Sequence, residues 1–347
     1  MYLFAHTMEN LMSSMEDKMC TAVNFKTRNH YFGRNLDLEY TYQETVTVTP
    51  RRYPFRFRTM GEMDNHHAII GMAYVVDGYP LYYDATNEKG VSMAGLMFAG
   101  NSHYPDMAQG KDNISPFEFI PWILAQCEDM TEVRRTLEKI NLVNISFNEA
   151  LPLTPLHWII SYKEESVVVE SMQDGLHVYE NPVGVLTNNP PFPVQLWNLN
   201  NYMGLSREKQ ENRFGRKLPL SAYSRGMGAL GLPGDLSSAS RFVRAAFVLQ
   251  NSVAGDSEEE SVGQFFHILT SVEQQRGCVR MDGEAYEVTA YSSCCNADKG
   301  IYYYTTYGNR QISAVDMWQE DLEEREVISY SLVKNEQIYY QNKCKNE

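Results

Sequence analysis

"MCTAVNFKTRNHYFGRNLDLEY" (19–40) decides how this chain is read. Thr21-Ala22-Val23-Asn24-Phe25 alternates polar and apolar residues, the period of a half-buried strand. Thr27-Arg28-Asn29 offers a turn, and residues 30–38 return as a second strand, so the segment predicts a hairpin. Cys20 stands at its head, and the return strand carries Arg34 and Asp37 towards the same end of the sheet.

A cysteine entering a buried strand is ordinarily a small core hydrophobe. Three features point to chemistry instead. Met19-Cys20-Thr21 has the form of a start methionine followed by a residue small enough for that methionine to be trimmed, which leaves Cys20 with a free α-amine. Such an amine has a pKa of about 7.7–8.0, so it can take a thiol proton near neutrality. A neighbouring guanidinium (Arg34) stabilises a thiolate, and a carboxylate (Asp37) can hold and orient the ammonium. These are the residue types that an N-terminal-nucleophile amide hydrolase needs. The reading requires residues 1–19 to be a leader, or to precede the true start, and to be absent from the active enzyme; with them attached, the Cys20 nitrogen is an amide and no base. Residues 20–347 then form a single domain, since no repeat, linker or shift in composition divides them.

Outward from the hairpin, strand-like segments recur at 67–76, 90–98, 157–162 and 166–171, and a meander is expected at 286–294, 300–307 and 311–317. Helices are fewer. Ser115-Pro116-Phe117-Glu118 is a capping box with Pro at the first helical position, ahead of Ile120, Leu124 and Cys127. Val133, Leu137 and Ile140 share a face of the next helix; Phe242, Ala246 and Leu249 follow Ser238, and Phe265, Ile268, Leu269 and Val272 follow Ser261. Hairpins interrupted by helix pairs predict an α+β fold whose sheets are covered by helices.

The composition excludes several classes. A net charge of −14 with no dense Lys/Arg stripe argues against nucleic acid. No apolar run reaches the roughly 18–20 residues of a membrane span, and the first eighteen residues lack the basic lead of a secretory signal, so a cytoplasmic protein is expected. The six cysteines form no C-x-x-C; Cys127 suits a helix core and Cys344 a polar tail. Adjacent His66 and His67 would point to opposite faces of a strand, so no metal site is read, and no phosphate-binding Gly loop or G-x-S-x-G elbow is present.

The opening segment resembles that of the choloylglycine hydrolase family, which contains bile salt hydrolases and penicillin V acylases. The resemblance continues in order through "DATNEKGVSMAGLMFAG" (84–100), "LHWIIS" (156–161), "GVLTNNPPF" (184–192), "GLPGDLSSASRFVRAAF" (231–247), "FFHIL" (265–269) and "YSSCCNADKGIYYYTTYGNRQISAVDM" (291–317). It implies the αββα four-layer sandwich of N-terminal-nucleophile hydrolases, no cofactor, and cleavage of bile acids conjugated to glycine or taurine. It makes Cys20 the nucleophile, Arg34 and Asp37 its neighbours, Asn188 of the L-T-N motif an oxyanion donor and Arg241 of the A-S-R-F motif a supporting residue. Arg241 is also odd by its own position, because a cation near a helix start opposes the macrodipole. The chain departs from the family at Met97, where bile salt hydrolases typically carry Asn and penicillin V acylases Tyr; its backbone N–H can still serve as the second oxyanion donor.

An apolar pocket is expected beside Cys20, walled by Leu36, Leu38, Val76 and the loop 142–151 with Val143, Ile145, Phe147 and Leu151. "LWNLNNYMGLSREKQ" (196–210) resembles the family's assembly segment, which implies a homotetramer. Two other readings are a penicillin V acylase or related N-acyl amide hydrolase, and a non-catalytic ligand-binding protein if residues 1–19 are retained.

Overall fold

A computed structural model describes residues 19–39, 43–281 and 283–343. The expected leader up to residue 18 and Cys344 lie outside them. Strands are numbered in chain order, and among the described residues they build two large antiparallel sheets. The first runs β14 (Val185–Leu186), β1 (Cys20–Lys26), β2 (His30–Leu38), β15 (Val288–Asn296), β16 (Ile301–Thr306), β17 (Asn309–Asp316). The second runs β13 (Gly175–Glu180), β12 (Glu165–Met172), β11 (Leu156–Tyr162), β8 (Ser92–Met97), β7 (Tyr79–Asn87), β6 (Ile69–Val76), β3 (Thr45–Thr49), β18 (Ile328–Ser331). Two small pairs complete the set: β4 (Phe55–Phe57) with β5 (Gly61–Met63), and β9 (Asp112–Ile114) parallel to β10 (Ile140–Leu142).

The sheets stack face to face. Ile70, Met72, Leu96, Ile159 and Val168 of the second sheet point inward and join Phe32, Leu36 and Leu38 of the first in one apolar core. Their alternate neighbours Ile69, Met93, Trp158, Ile160, Val167 and Val169 point the other way, onto helix α1 (Phe119–Gln126) and helix α2 (Met130–Leu137). Burial on both faces explains why these strands read as nearly continuous apolar runs. The outer face of the first sheet lies under α4 (Ser238–Asn251) and α5 (Glu258–Thr270); a short helix, α3 (Phe192–Asn198), precedes them. The order helix, sheet, sheet, helix is the αββα sandwich.

The N-terminal hairpin forms in the expected register, with Cys20 opposite Leu36 and Ala22 opposite Arg34. Side chains on β2 alternate between two destinations. Arg34, Leu36 and Leu38 enter the space between the sheets, while Asn35 reaches the carbonyl of Leu269 on the helix side. Gly33 has no freedom to be anything else, because a Cβ there would lie 2.0 Å from the Ser293 carbonyl oxygen of β15.

Several expectations are corrected. The Ser115 box opens a single 3₁₀ turn, Pro116–Glu118, before α1 begins; the Glu118 carboxylate accepts the Ser115 N–H at 3.0 Å. Ile140 is not on the helix face of Val133 and Leu137: the helix ends at Leu137, and Ile140 starts strand β10. The last helix begins earlier than Ser261, capped by Ser257 with Glu260 reaching back. Val272 lies just beyond its end, still within the core. Among the described residues no helix is long and apolar enough to cross a membrane.

Candidate active site

Cys20 enters β1 buried, on the wall of a cavity of about 200 Å³ that opens beside the gap between the sheets. Its backbone is clamped from two sides: the N–H donates to Asn188 Oδ1 at 2.8 Å, and the carbonyl accepts Arg241 Nη1 at 2.5 Å. Burial pushes the thiol above its ordinary pKa. The Arg34 and Arg241 charges and the Asp37 backbone N–H pull it down, the Asp37 carboxyl pushes it up, and burial wins. With Met19 in place the thiol therefore keeps its proton and the Cys20 nitrogen is an amide.

Arg34 is fully buried between the sheets, where Nη1 donates to the carbonyls of Gly95 (2.5 Å) and Tyr83 (3.1 Å). Its Nη2 is buried with no hydrogen-bond partner among the described residues. Asp37 Oδ1 accepts the Thr289 hydroxyl at 2.6 Å, and its backbone N–H donates to the Met19 carbonyl at 3.1 Å. Burial pushes the Asp37 carboxyl up to about 6, against Arg241, Thr289 and Arg34, which all favour its anion.

Asn188 sits in the loop after β14, and the loop is held by more than its two prolines. Its backbone N–H donates to Ser238 Oγ (2.9 Å), and its carbonyl accepts Gln195 Nε2 (2.7 Å). The preceding carbonyl, of Thr187, meets His157 Nε2 at 2.7 Å. His157 is in turn fixed by Glu170 Oε1 at 3.0 Å and by stacking on Phe98, ring centroids 4.3 Å apart. Asn188 Oδ1 receives both the Cys20 N–H and Arg241 Nη2, while Nδ2 gives one N–H to the Met97 carbonyl at 2.9 Å. An amide nitrogen carries two hydrogens, so a second donor remains.

Arg241, in the first turn of α4, is fully buried; its other acceptors are Thr21 Oγ1 (2.7 Å) and the Leu236 carbonyl (3.1 Å). The penalty of a cation at a helix start is thus offset by these oxygen dipoles and, at longer range, by the acidic groups Asp37 and Glu287. Glu287 was not singled out from the sequence. It is buried, and its Oε1 accepts the Met19 N–H at 2.7 Å.

Leu36, Leu38, Phe147 and Leu151 line the cavity, together with Met97. Val76, Val143 and Ile145 do not: Val143 is packed away with its N–H on the Ile114 carbonyl, and Val76 and Ile145 are half-buried elsewhere. Tyr74, Leu81, Tyr83, Phe117 and Ile120 supply much of the remaining wall. They come from β6, β7, the turn into α1 and α1 itself, and β7 was not expected as a strand. His157, Glu170 and Gln195 also escaped notice, although His157 and Glu170 carry a signal, each being a titratable residue next to an apolar run of three, Trp158–Ile160 and Val167–Val169. Among the described residues no group of three or more His, Cys, Asp or Glu could hold a metal ion.

The arrangement can perform acyl chemistry: a thiol at an apolar cavity, an amide donor beside it, and two buried cations that favour developing negative charge. Comparison with known proteins agrees. Residues 20–330 match the model of the linear amide C–N hydrolases, choloylglycine hydrolase family. The bile salt hydrolase/transferase of Lactiplantibacillus plantarum is 55% identical over 324 residues, covering 93% of this chain and 100% of that protein. That of Clostridium perfringens is 38% identical over 330 residues, with 93% and 100% covered. A crystal structure of a variant of the conjugated bile acid hydrolase from Clostridium perfringens superposes with a TM-score of 0.86 at 38% identity, covering 93% of this chain and 100% of that one. The penicillin V acylase of Agrobacterium tumefaciens shares the fold, with a TM-score of 0.68 at 20% identity and 90% of each chain covered. The hairpin that opens the chain and the site built on it thus belong to an enzyme, and the chain is a member of the choloylglycine hydrolase family of linear amide C–N hydrolases.

Proposed function

We propose that this enzyme is a bile salt hydrolase, cleaving the amide that joins a bile acid to glycine or taurine. The observation that carries the reading is the junction at Cys20, where thiol, backbone nitrogen, Asn188 and Arg241 meet at the wall of a cavity lined by apolar side chains. Such walls suit the apolar body of a steroid, with the scissile amide at the polar end.

The working chain begins at Cys20, with residues 1–19 absent and 20–347 acting as one domain. The free α-amine takes the thiol proton, and the thiolate attacks the amide carbonyl, forming an S–C bond. The oxyanion is held by the second Nδ2 hydrogen of Asn188 and the backbone N–H of Met97. As the C–N bond breaks, the Cys20 ammonium returns its proton to the departing amine of glycine or taurine. Water then opens the thioester, releases the bile acid and restores the thiol. Arg34 lowers the cost of the thiolate, Asp37 orients the amine, and Arg241 keeps the Asn188 oxygen and the Cys20 carbonyl in register. Side-by-side turnover of glycocholate, taurocholate and penicillin V tests the substrate. Conjugated bile acids are expected to be hydrolysed at least about tenfold faster, one decade being about 1.4 kcal/mol of barrier. Faster turnover of penicillin V would overturn the choice.

The same reading places the enzyme in the cytoplasm as a homotetramer. Within 196–210, Trp197 and Met203 are 68% and 87% exposed on a single chain, apolar surface that a neighbouring subunit would cover. Light scattering is expected to give a mass four times that of one chain, and a monomeric mass would reject the assembly.

A further inference from the structure

Buried charge around Cys20 does not balance while Met19 is attached. Among the described residues, the fully buried cations beside Cys20 are Arg34 and Arg241. Three buried carboxyls stand near them: Asp84, which receives the hydroxyls of Tyr291, Ser293 and Tyr302; Asp37; and Glu287. Two cations against these three carboxyls, with half-buried Glu39 a further acid facing Glu287, leave carboxyl charge in excess, and a buried unpaired anion is costly. The surplus falls on Glu287, which burial and then the Asp37 charge push up to about 8.

What Glu287 does hold is the residue next to the nucleophile. Its Oε1 takes the Met19 N–H at 2.7 Å, and its Oε2 is buried with no partner among the described residues. Met19 is further met by the Asp37 N–H on its carbonyl and by Gln274 Nε2, 3.8 Å from its sulfur. Met19 thus fills a polar recess that borders the Cys20 nitrogen, and losing it exposes two carboxyls to whatever lies at that nitrogen.

We propose that Glu287 is a positioning residue for the Cys20 amine: once the Met19–Cys20 bond is open, its carboxylate turns from the departed N–H to the new ammonium and, with Asp37, fixes that group beside the thiol. The ammonium is a third cation, and it reduces the excess of carboxyl charge around Cys20. The inference rests on the reading of Cys20 as an N-terminal nucleophile. The charged groups that face Glu287 are Asp37 of β2, Arg241 of α4 and Glu39, half-buried just beyond β2.

The sign of the effect follows. An adjacent carboxylate stabilises the ammonium and opposes the loss of its proton, so removing that charge moves the acid limb of the rate profile to lower pH. The test uses mature chains, shown by intact mass to begin at Cys20, in wild-type, Glu287→Asp and Glu287→Gln forms. Two quantities are followed against pH: kcat/KM for glycocholate, and the rate of Cys20 alkylation by iodoacetamide. For Glu287→Gln both acid limbs are expected about one pH unit lower, the usual effect of one close charge. Glu287→Asp, with its carboxylate drawn back by one methylene, is expected to lie between. An unmoved limb in Glu287→Gln, or in Glu287→Asp if the glutamine form does not fold, overturns the inference, even if the rate falls at every pH. A Cys20→Ala control that still turns over glycocholate would instead remove the nucleophile reading on which the inference stands.

Discussion

A Cys20→Ala chain is expected to fold normally and to hydrolyse no conjugated bile acid, with kcat/KM lower by at least about 10⁴-fold, as for other lost nucleophiles. Cys20 lies in a paired strand, and its loss removes one buried sulfur, worth on the order of 1 kcal/mol. The melting temperature should therefore stay within about 4 °C of the parent. Cys20→Ser should also be strongly impaired, because an alcohol is a far weaker acid than a thiol, so the same α-amine generates far less of the attacking anion. The nitrogen is as important as the sulfur. A chain in which Met19 remains attached keeps both Cys20 clamps, since these use the backbone N–H and carbonyl rather than a free amine. It should bind bile salts in the same cavity and turn none over. Intact-mass spectrometry paired with glycocholate turnover checks both arms. Activity within tenfold of the parent, in the alanine form or in a fully blocked chain, is the result the proposed mechanism does not survive.

How far the sequence reveals this site depends on how each residue gets there. Cys20, Arg34 and Asp37 belong to one hairpin, so their proximity follows from strand alternation and a three-residue turn. Alternation also carries a consequence that was not drawn from it: Arg34 and Asp37 are an odd number apart and leave the strand on opposite faces, one between the sheets and one towards the helices. Asn188 and Arg241 arrive from distant loops and were placed by family resemblance, because no local pattern brings L-T-N to a cysteine 168 positions away. Glu287 is 268 positions from Met19 and reaches it through the pairing of β2 with β15, a tertiary event without a local signature. The cavity walls show the limit of periodicity. Val143, Ile145 and Phe147 alternate, but they follow β10 rather than continuing it, and Phe147 alone of the three reaches the cavity. Strand β7 carries Pro80 and Asp84, residue types that favour turns, yet Asp84 is buried and satisfied by three hydroxyls from β15 and β16. Thr45–Thr49, by contrast, alternates Thr and Val without interruption, a period that marks its strand in the sequence itself.

Asn188→Ala is expected to lower kcat by about 10²–10³-fold, the loss usual for an oxyanion donor, with KM little changed. Its Nδ2 gives one hydrogen to the Met97 carbonyl, which both fixes the amide plane and leaves the second hydrogen free for an oxyanion. Its Oδ1 gathers the Cys20 N–H and Arg241 Nη2, so the same side chain ties the nucleophile strand to helix α4. Truncation leaves those donors buried and unpaired, at about 1–3 kcal/mol each. A fall in melting temperature should therefore accompany the fall in rate. The two effects are separable. Asn188→Asp retains an oxygen for Arg241 and should recover much of the stability, yet it offers no N–H and places a negative charge where the oxyanion must form. Its kcat is expected to be no better than that of the alanine form. Met97→Ala is the control, because it trims the side chain and leaves the backbone N–H that the mechanism uses; its kcat should stay within about fivefold, or about 1 kcal/mol. The assignment fails if Asn188→Asp regains the parent rate along with its stability, because Asn188 would then serve the fold and not the reaction.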